Sequence, residues 1–181
     1  MSYLPKQERD SGHNPLFTTL KNLLILGQWE AANQETITLM LQLANRSEDG
    51  WLWPEDFSRL PRPALKILNQ LWVQHSCGRF GFSVQQRFWQ KVGGLQADDP
   101  YLAECRLGDA VGWRHLDGTW LTYSQIQFAA NAPRGHLPLA FAWWVEDGGI
   151  ILGGLGKFWQ MVVEGDLATP GPEANVIELP R

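Results

Sequence analysis

His75, Ser76 and Cys77 stand side by side and hold the side-chain types of a nucleophile and its base. A serine or cysteine is activated only when a base lies within hydrogen-bond reach in space, and adjacency along the chain does not provide that. The triplet falls where a predicted helix ends, so it reads as a polar terminus followed by a buried thiol. Metal ligation has as little support. His13, His75, His115 and His136, with Cys77 and Cys105, show neither His-x-x-x-His nor Cys-x-x-Cys spacing. Gly153-Gly154-Leu155-Gly156-Lys157 resembles part of a phosphate loop, but Phe158 stands where a serine or threonine is required and no strand is predicted before it. Its glycines suit close packing or a bend. Glu146 and Asp147 fall at a predicted helix end and read as solvated charges rather than as an acid–base pair. What remains is binding. Trp51, Trp53, Phe57, Phe80, Phe82, Phe128, Phe141 and Trp144 lie in or beside predicted loops, where a concave face is easily built. A flat conjugated ligand gains dispersion and desolvation energy from such walls and needs no nucleophile.

The composition points the same way. Ten Trp, eight Phe and three Tyr sit in a chain that is only 19% charged, so the rings exceed what a small core alone would use. At 181 residues the chain can bury a core without disulfides or a structural metal, and one domain is expected. A net charge of −4 and a pI near 5.5, with no basic block, argue against a nucleic-acid or anionic-membrane surface. The longest nearly apolar run, Leu137 to Val145, contains a proline and is about half the ~20 residues a membrane span needs. The first ten residues carry charges where a secretion signal would be apolar. With two cysteines in no redox spacing, a reducing compartment is expected.

The aromatic loops must be positioned by helices. Residues 1–12 read as a flexible lead-in and 164–181 as a Pro/Gly/Glu-rich tail, leaving 13–163 as the folded domain. Asn14-Pro15 opens a first helix that stops at Gly27, and Glu30 to Asn45 forms a second folded back on it. Trp51-Leu52-Trp53-Pro54 is extended, Asp56 caps a single turn, and Pro63 opens a third helix ending near His75. Ser83 and Gln86 have the spacing of a capping box for a fourth, and Asp99-Pro100 starts a short fifth, with a further turn over Asp109 to Trp113. Residues 113–132 suit a small hairpin or an irregular loop. Leu139 to Val145 and Ile150 to Val163 read as two more helices. The expected class is all-α: a single compact bundle of six to eight short helices whose long ordered loops form a cupped, aromatic-lined cleft.

Several strings carry a resemblance. Leu71-Trp72-x-x-x-Ser76-x-Gly78-x-Phe80-Gly81-Phe82-Ser83-Val84-Gln85, then Val111-Gly112-Trp113 and Gly135-His136-Leu137-Pro138, resemble the "genomes uncoupled four" family. Trp29-x-x-Ala32, Thr36, Trp51-Leu52 and Leu60-Pro61 extend the match over about residues 16–139. The resemblance implies a non-enzymatic tetrapyrrole-binding protein with a helical core like a cupped hand, holding protoporphyrin IX or magnesium protoporphyrin IX. It implies a partner, the large porphyrin-binding (H) subunit of magnesium chelatase, and a place in chlorophyll synthesis in a cyanobacterial cytoplasm or a plastid stroma. Peripheral contact with a membrane is left open. By position, the palm would be lined by Leu52, Trp53, Phe57, Phe82, Ile126, Phe128, His136, Leu137, Phe141 and Trp144.

Two departures stand out. Better-known members carry arginines just beyond the Gly-His-Leu-Pro string that can meet propionates, whereas this chain has Trp144 and Asp147 in that stretch. Arg79 and Arg134 are the expected substitutes. The N-terminal helical bundle of many cyanobacterial members is also not represented. A rival expectation follows: a protein-interaction or sensory module that keeps the fold with weakened or lost porphyrin binding. His136 is expected to cap the loop backbone rather than to face the ligand.

Overall fold

Prolines and glycines punctuate the chain where the sequence places them. The computed structural model describes residues 15–139 together with Trp143, Trp144, Ile150, Ile151 and Phe158. The expected lead-in over 1–12 and tail over 164–181 lie outside the described residues. A 3-10 turn, Pro15–Phe17, leads into α1 (Thr18–Ile25), and Gly27 at φ +66 turns the chain into α2 (Trp29–Leu43). Leu20, Leu24, Leu39 and Met40 bury the faces these antiparallel neighbours share with the core. The extended stretch through Trp53 passes into a 3-10 turn, Pro54–Arg59, before α3 (Arg62–His75). Helices α4 (Phe82–Lys91) and α5 (Pro100–Val111) follow. Asp99 Oδ1 accepts the Tyr101 and Leu102 amides at 3.0 and 3.2 Å, so the expected cap of α5 is present. That helix runs unbroken to Val111 rather than pausing after Cys105, because Ala103, Leu107 and Val111 form one buried stripe.

The start of α4 differs from expectation. Ser83 and Gln86 do not form a capping box; the side-chain oxygen of Asn69, on α3, accepts the Ser83 amide at 2.9 Å. A cap reached across from another helix has no local sequence signal. The core behind it is aromatic. Trp29, Trp72 and Phe80 meet with ring centroids 5.4 to 6.3 Å apart, and Trp72 Nε1 donates to Thr36 Oγ1 at 2.9 Å, so the buried indole keeps a hydrogen bond.

The segment after Pro138 corrects the sequence reading more sharply. Trp143–Trp144 (β1) and Ile150–Ile151 (β2) pair antiparallel, Trp143 with Ile151 and Trp144 with Ile150, where helices were expected. Aromatic and β-branched residues favour an extended backbone, and Asp147-Gly148-Gly149 between them are turn formers. An isolated bridge joins Arg114 and Trp120, which realises the small hairpin reading of that region. With strands this short, the fold class is all-α, as expected.

Candidate functional site

Two loops are zipped together by glycine backbones. The chain from α3 to α4 and the chain at 132–139 exchange main-chain bonds: Gly135 N–H donates to Arg79 O at 2.8 Å and Gly81 N–H to Leu137 O at 2.9 Å. Gly81 sits at φ +122, and a Cβ there would stand 2.8 Å from Val73 Cγ2 and 3.0 Å from Asn69 Oδ1. Gly135 is at φ +79, with Val111 Cγ1 2.9 Å from where its Cβ would lie. Both positions demand a residue without a side chain. Polar side chains finish the seam. Gln85 Nε2 donates to Gly135 O and Pro138 O, both at 2.9 Å, and Trp113 Nε1 donates to His136 O at 2.8 Å. Ser76 Oγ accepts the Phe80 amide at 2.9 Å, which makes it a loop brace. Beside it Cys77 is exposed, at φ +53, not buried as the sequence suggested; Cys105 is the buried thiol. The turn that follows α3 at Ser76 swings Cys77 outward.

His136 belongs to this clasp. Its ring is buried; Nδ1 donates to Val111 O at 2.8 Å and Nε2 accepts the Gln127 amide at 3.1 Å. Those two bonds fix a neutral imidazole protonated on Nδ1. Burial pushes its pKa down against the opposing pull of the Val111 carbonyl, so the neutral form is the resident one. The two arginines expected to meet propionates are also engaged here. Arg79 Nη2 donates to Ala132 O at 2.7 Å and Arg134 Nη2 to Gly78 O at 3.4 Å, each crossing from one loop to the other.

The second region is open. Trp53 is extended (φ −78, ψ 155), and Trp51 and Trp53, two residues apart, are 51% and 53% exposed, while Leu52 between them is buried. Alternation along an extended segment puts both indoles on one side and the leucine on the other. The ledge is anchored by Asp56, whose side chain is 1% exposed. Its Oδ2 accepts the Trp53 amide at 2.9 Å; its Oδ1 lies 3.0 Å from Arg46 Nη2 and 2.9 Å from Arg59 Nη1. Burial alone would raise this carboxyl's pKa, but the Arg46 hydrogen bond, the Trp53 amide and the two guanidinium charges outweigh it and hold it below the usual carboxylate range. Arg46 and Arg59 went unread in the sequence, although the i,i+3 spacing of Asp56 and Arg59 was there to suggest the pair.

The remaining expected lining residues divide by depth. Phe57 and Phe82, from different elements, both meet the ring of Phe158 edge-on, with centroids 5.3 and 5.6 Å apart, and all three are buried. Leu52, Ile126 and Leu137 belong to the same contiguous core, and Phe128 packs half-buried against it, 5.0 Å from the ring of Tyr123. Trp144 is placed as a strand residue, and Phe141 lies outside the described residues. Among the described residues no group of three His, Cys, Asp or Glu side chains could hold a metal ion, and no helix is long and apolar enough to cross a membrane.

A family model described as GUN4-like matches residues 10–148. The ycf53 protein of Cyanidium caldarium is 32% identical over 129 residues, covering 70% of this chain and 51% of that one. A chloroplastic tetrapyrrole-binding protein of Arabidopsis thaliana is 32% identical over 138 residues, covering 70% and 49%. The chain thus spans about half the length of the curated relatives it matches. The solved structure of GUN4 from Chlamydomonas reinhardtii superposes with a TM-score of 0.62 at 19% identity, covering 92% of this chain and 95% of that one, which establishes the shared fold.

Proposed function

The chain belongs to the GUN4-like family, and from that premise we propose that it is a non-enzymatic tetrapyrrole-binding protein whose ligand is protoporphyrin IX or magnesium protoporphyrin IX. It delivers that pigment to magnesium chelatase or activates the enzyme through its large H subunit, in a cyanobacterial cytoplasm or a plastid stroma. The observation that carries this reading is the pair of half-exposed indoles at Trp51 and Trp53, the backbone of Trp53 being held by a buried, doubly paired carboxylate. Exposed aromatic surface is costly in water and useful against a flat apolar partner. Ser76 braces a loop and His136 bonds to backbone on both sides, so neither stands ready to transfer a proton.

Titration with protoporphyrin IX tests this. A shift of the porphyrin's main absorption band is expected, with a melting temperature that rises with ligand. At one hundred times the dissociation constant the gain is about 2.7 kcal/mol, or roughly 5–10 °C for a chain this size. An unchanged spectrum and an unchanged melt up to tens of micromolar porphyrin would remove the reading. The rival, an interaction module without a pigment, is favoured by one observation: Arg79 and Arg134 are committed to backbone carbonyls. It predicts that unchanged result.

A further inference from the structure

We propose that Arg59 is the residue through which this chain recognises a carboxylate arm of its ligand, next to the backbone of Trp53; this rests on the tetrapyrrole reading above. The Arg59 side chain is 57% exposed, and its Nη1 lies 2.9 Å from Asp56 Oδ1. The other oxygen of the same carboxylate accepts the Trp53 amide, so the breadth of one carboxylate separates the guanidinium from the Trp53 backbone. Arg46 reaches the same Oδ1 at 3.0 Å and is itself tied to Asp49 at 3.1 Å. Asp56 therefore keeps a cation and an amide when Arg59 turns outward. A guanidinium that is pre-positioned by an ion pair, dispensable to it and exposed is well suited to meet a carboxylate with two parallel hydrogen bonds.

Arg79 and Arg134 are placed differently. Drawing either toward a ligand would strip a hydrogen bond from the carbonyl of Ala132 or Gly78 inside the loop seam. The recognition of acid thus shifts from the sequence-predicted arginines to one on the turn between α2 and α3.

Protoporphyrin IX and its dimethyl ester differ only in whether the two arms are charged, and they are the probes. Wild-type protein is expected to prefer the acid. Arg59→Gln weakens acid binding about tenfold and leaves ester binding unchanged. Arg59→Lys, which keeps a cation on Asp56 but loses the planar fork, falls between the two. Arg79→Gln and Arg134→Gln retain the preference for the acid, whatever they do to the melt. Full acid preference in both Arg59 variants, or equal binding of acid and ester by the wild type, overturns the inference while leaving pigment binding intact. Wild-type protein that binds neither compound removes the tetrapyrrole reading and this inference with it.

Discussion

The loop seam around Gly81 and Gly135 and the ledge around Trp53 both concentrate aromatic residues, and they spend them in opposite ways. In the seam Phe80, Phe82 and Trp113 are fully buried, and main-chain bonds together with the Gln85 and Trp113 side chains join the two loops across the gap. In the ledge two indoles stand half in water, and the backbone of Trp53 is tied to Asp56. The difference teaches that a recognisable string of residues need not be a binding surface. Phe-Gly-Phe-Ser-Val-Gln and Gly-His-Leu-Pro are each other's complement: glycines set the approach, Gln85 bridges two carbonyls, and His136 locks the neighbouring loop. In the reading proposed above, recognition falls to a stretch with a looser pattern.

The comparison breaks most sharply at Gly81. Alanine there must adopt φ +122 and meet Val73 and Asn69, so Gly81→Ala is expected to cost about 3 kcal/mol, a melting temperature lower by roughly 6–12 °C. Thermal denaturation checks it; a melt within about 2 °C of wild type would mean the seam is not the brace described here. Gln85→Leu should cost less, about 1–3 kcal/mol, because it strands the buried carbonyls of Gly135 and Pro138 without altering the backbone. Urea unfolding at constant slope reads that loss.

The smallest effect is the pH response of His136. Its folded pKa lies below the ordinary value, so the unfolded chain takes up the proton first: stability is full above about pH 6.5 and falls as pH drops from there toward the folded pKa. Protonated Nε2 can no longer accept the Gln127 amide. Exchange protection of that amide should therefore decline over the same window, and protection independent of pH would contradict the latch.

Much of this was legible in the residues, for reasons that differ by element. Helices α1 to α3 and α5 announced themselves through proline and glycine punctuation and three-and-four apolar spacing, which are local signals. The cap of α4 did not, because Asn69 supplies it from another helix. Trp143–Trp144 and Ile150–Ile151 were misread as helix because short apolar runs have no distinguishing period; the Asp-Gly-Gly between them was the better guide. At the site, Trp53 could be picked out by its neighbouring proline. Arg59 had only its i,i+3 spacing from Asp56 to suggest a pair; that Arg46 meets the same Oδ1 from a distant part of the chain has no local signal.

The claim on which the rest depends is that pigment rests on the ledge while the seam only holds the fold. The most direct test pairs two readings on one variant, Trp51→Ala with Trp53→Ala: affinity for protoporphyrin IX by absorption titration, and the melt of the ligand-free protein. Binding weaker by about ten- to a hundredfold with an unfolding free energy within about 0.5 kcal/mol of wild type is the predicted outcome. Undiminished affinity in the doubly substituted protein would contradict it and place the ligand elsewhere.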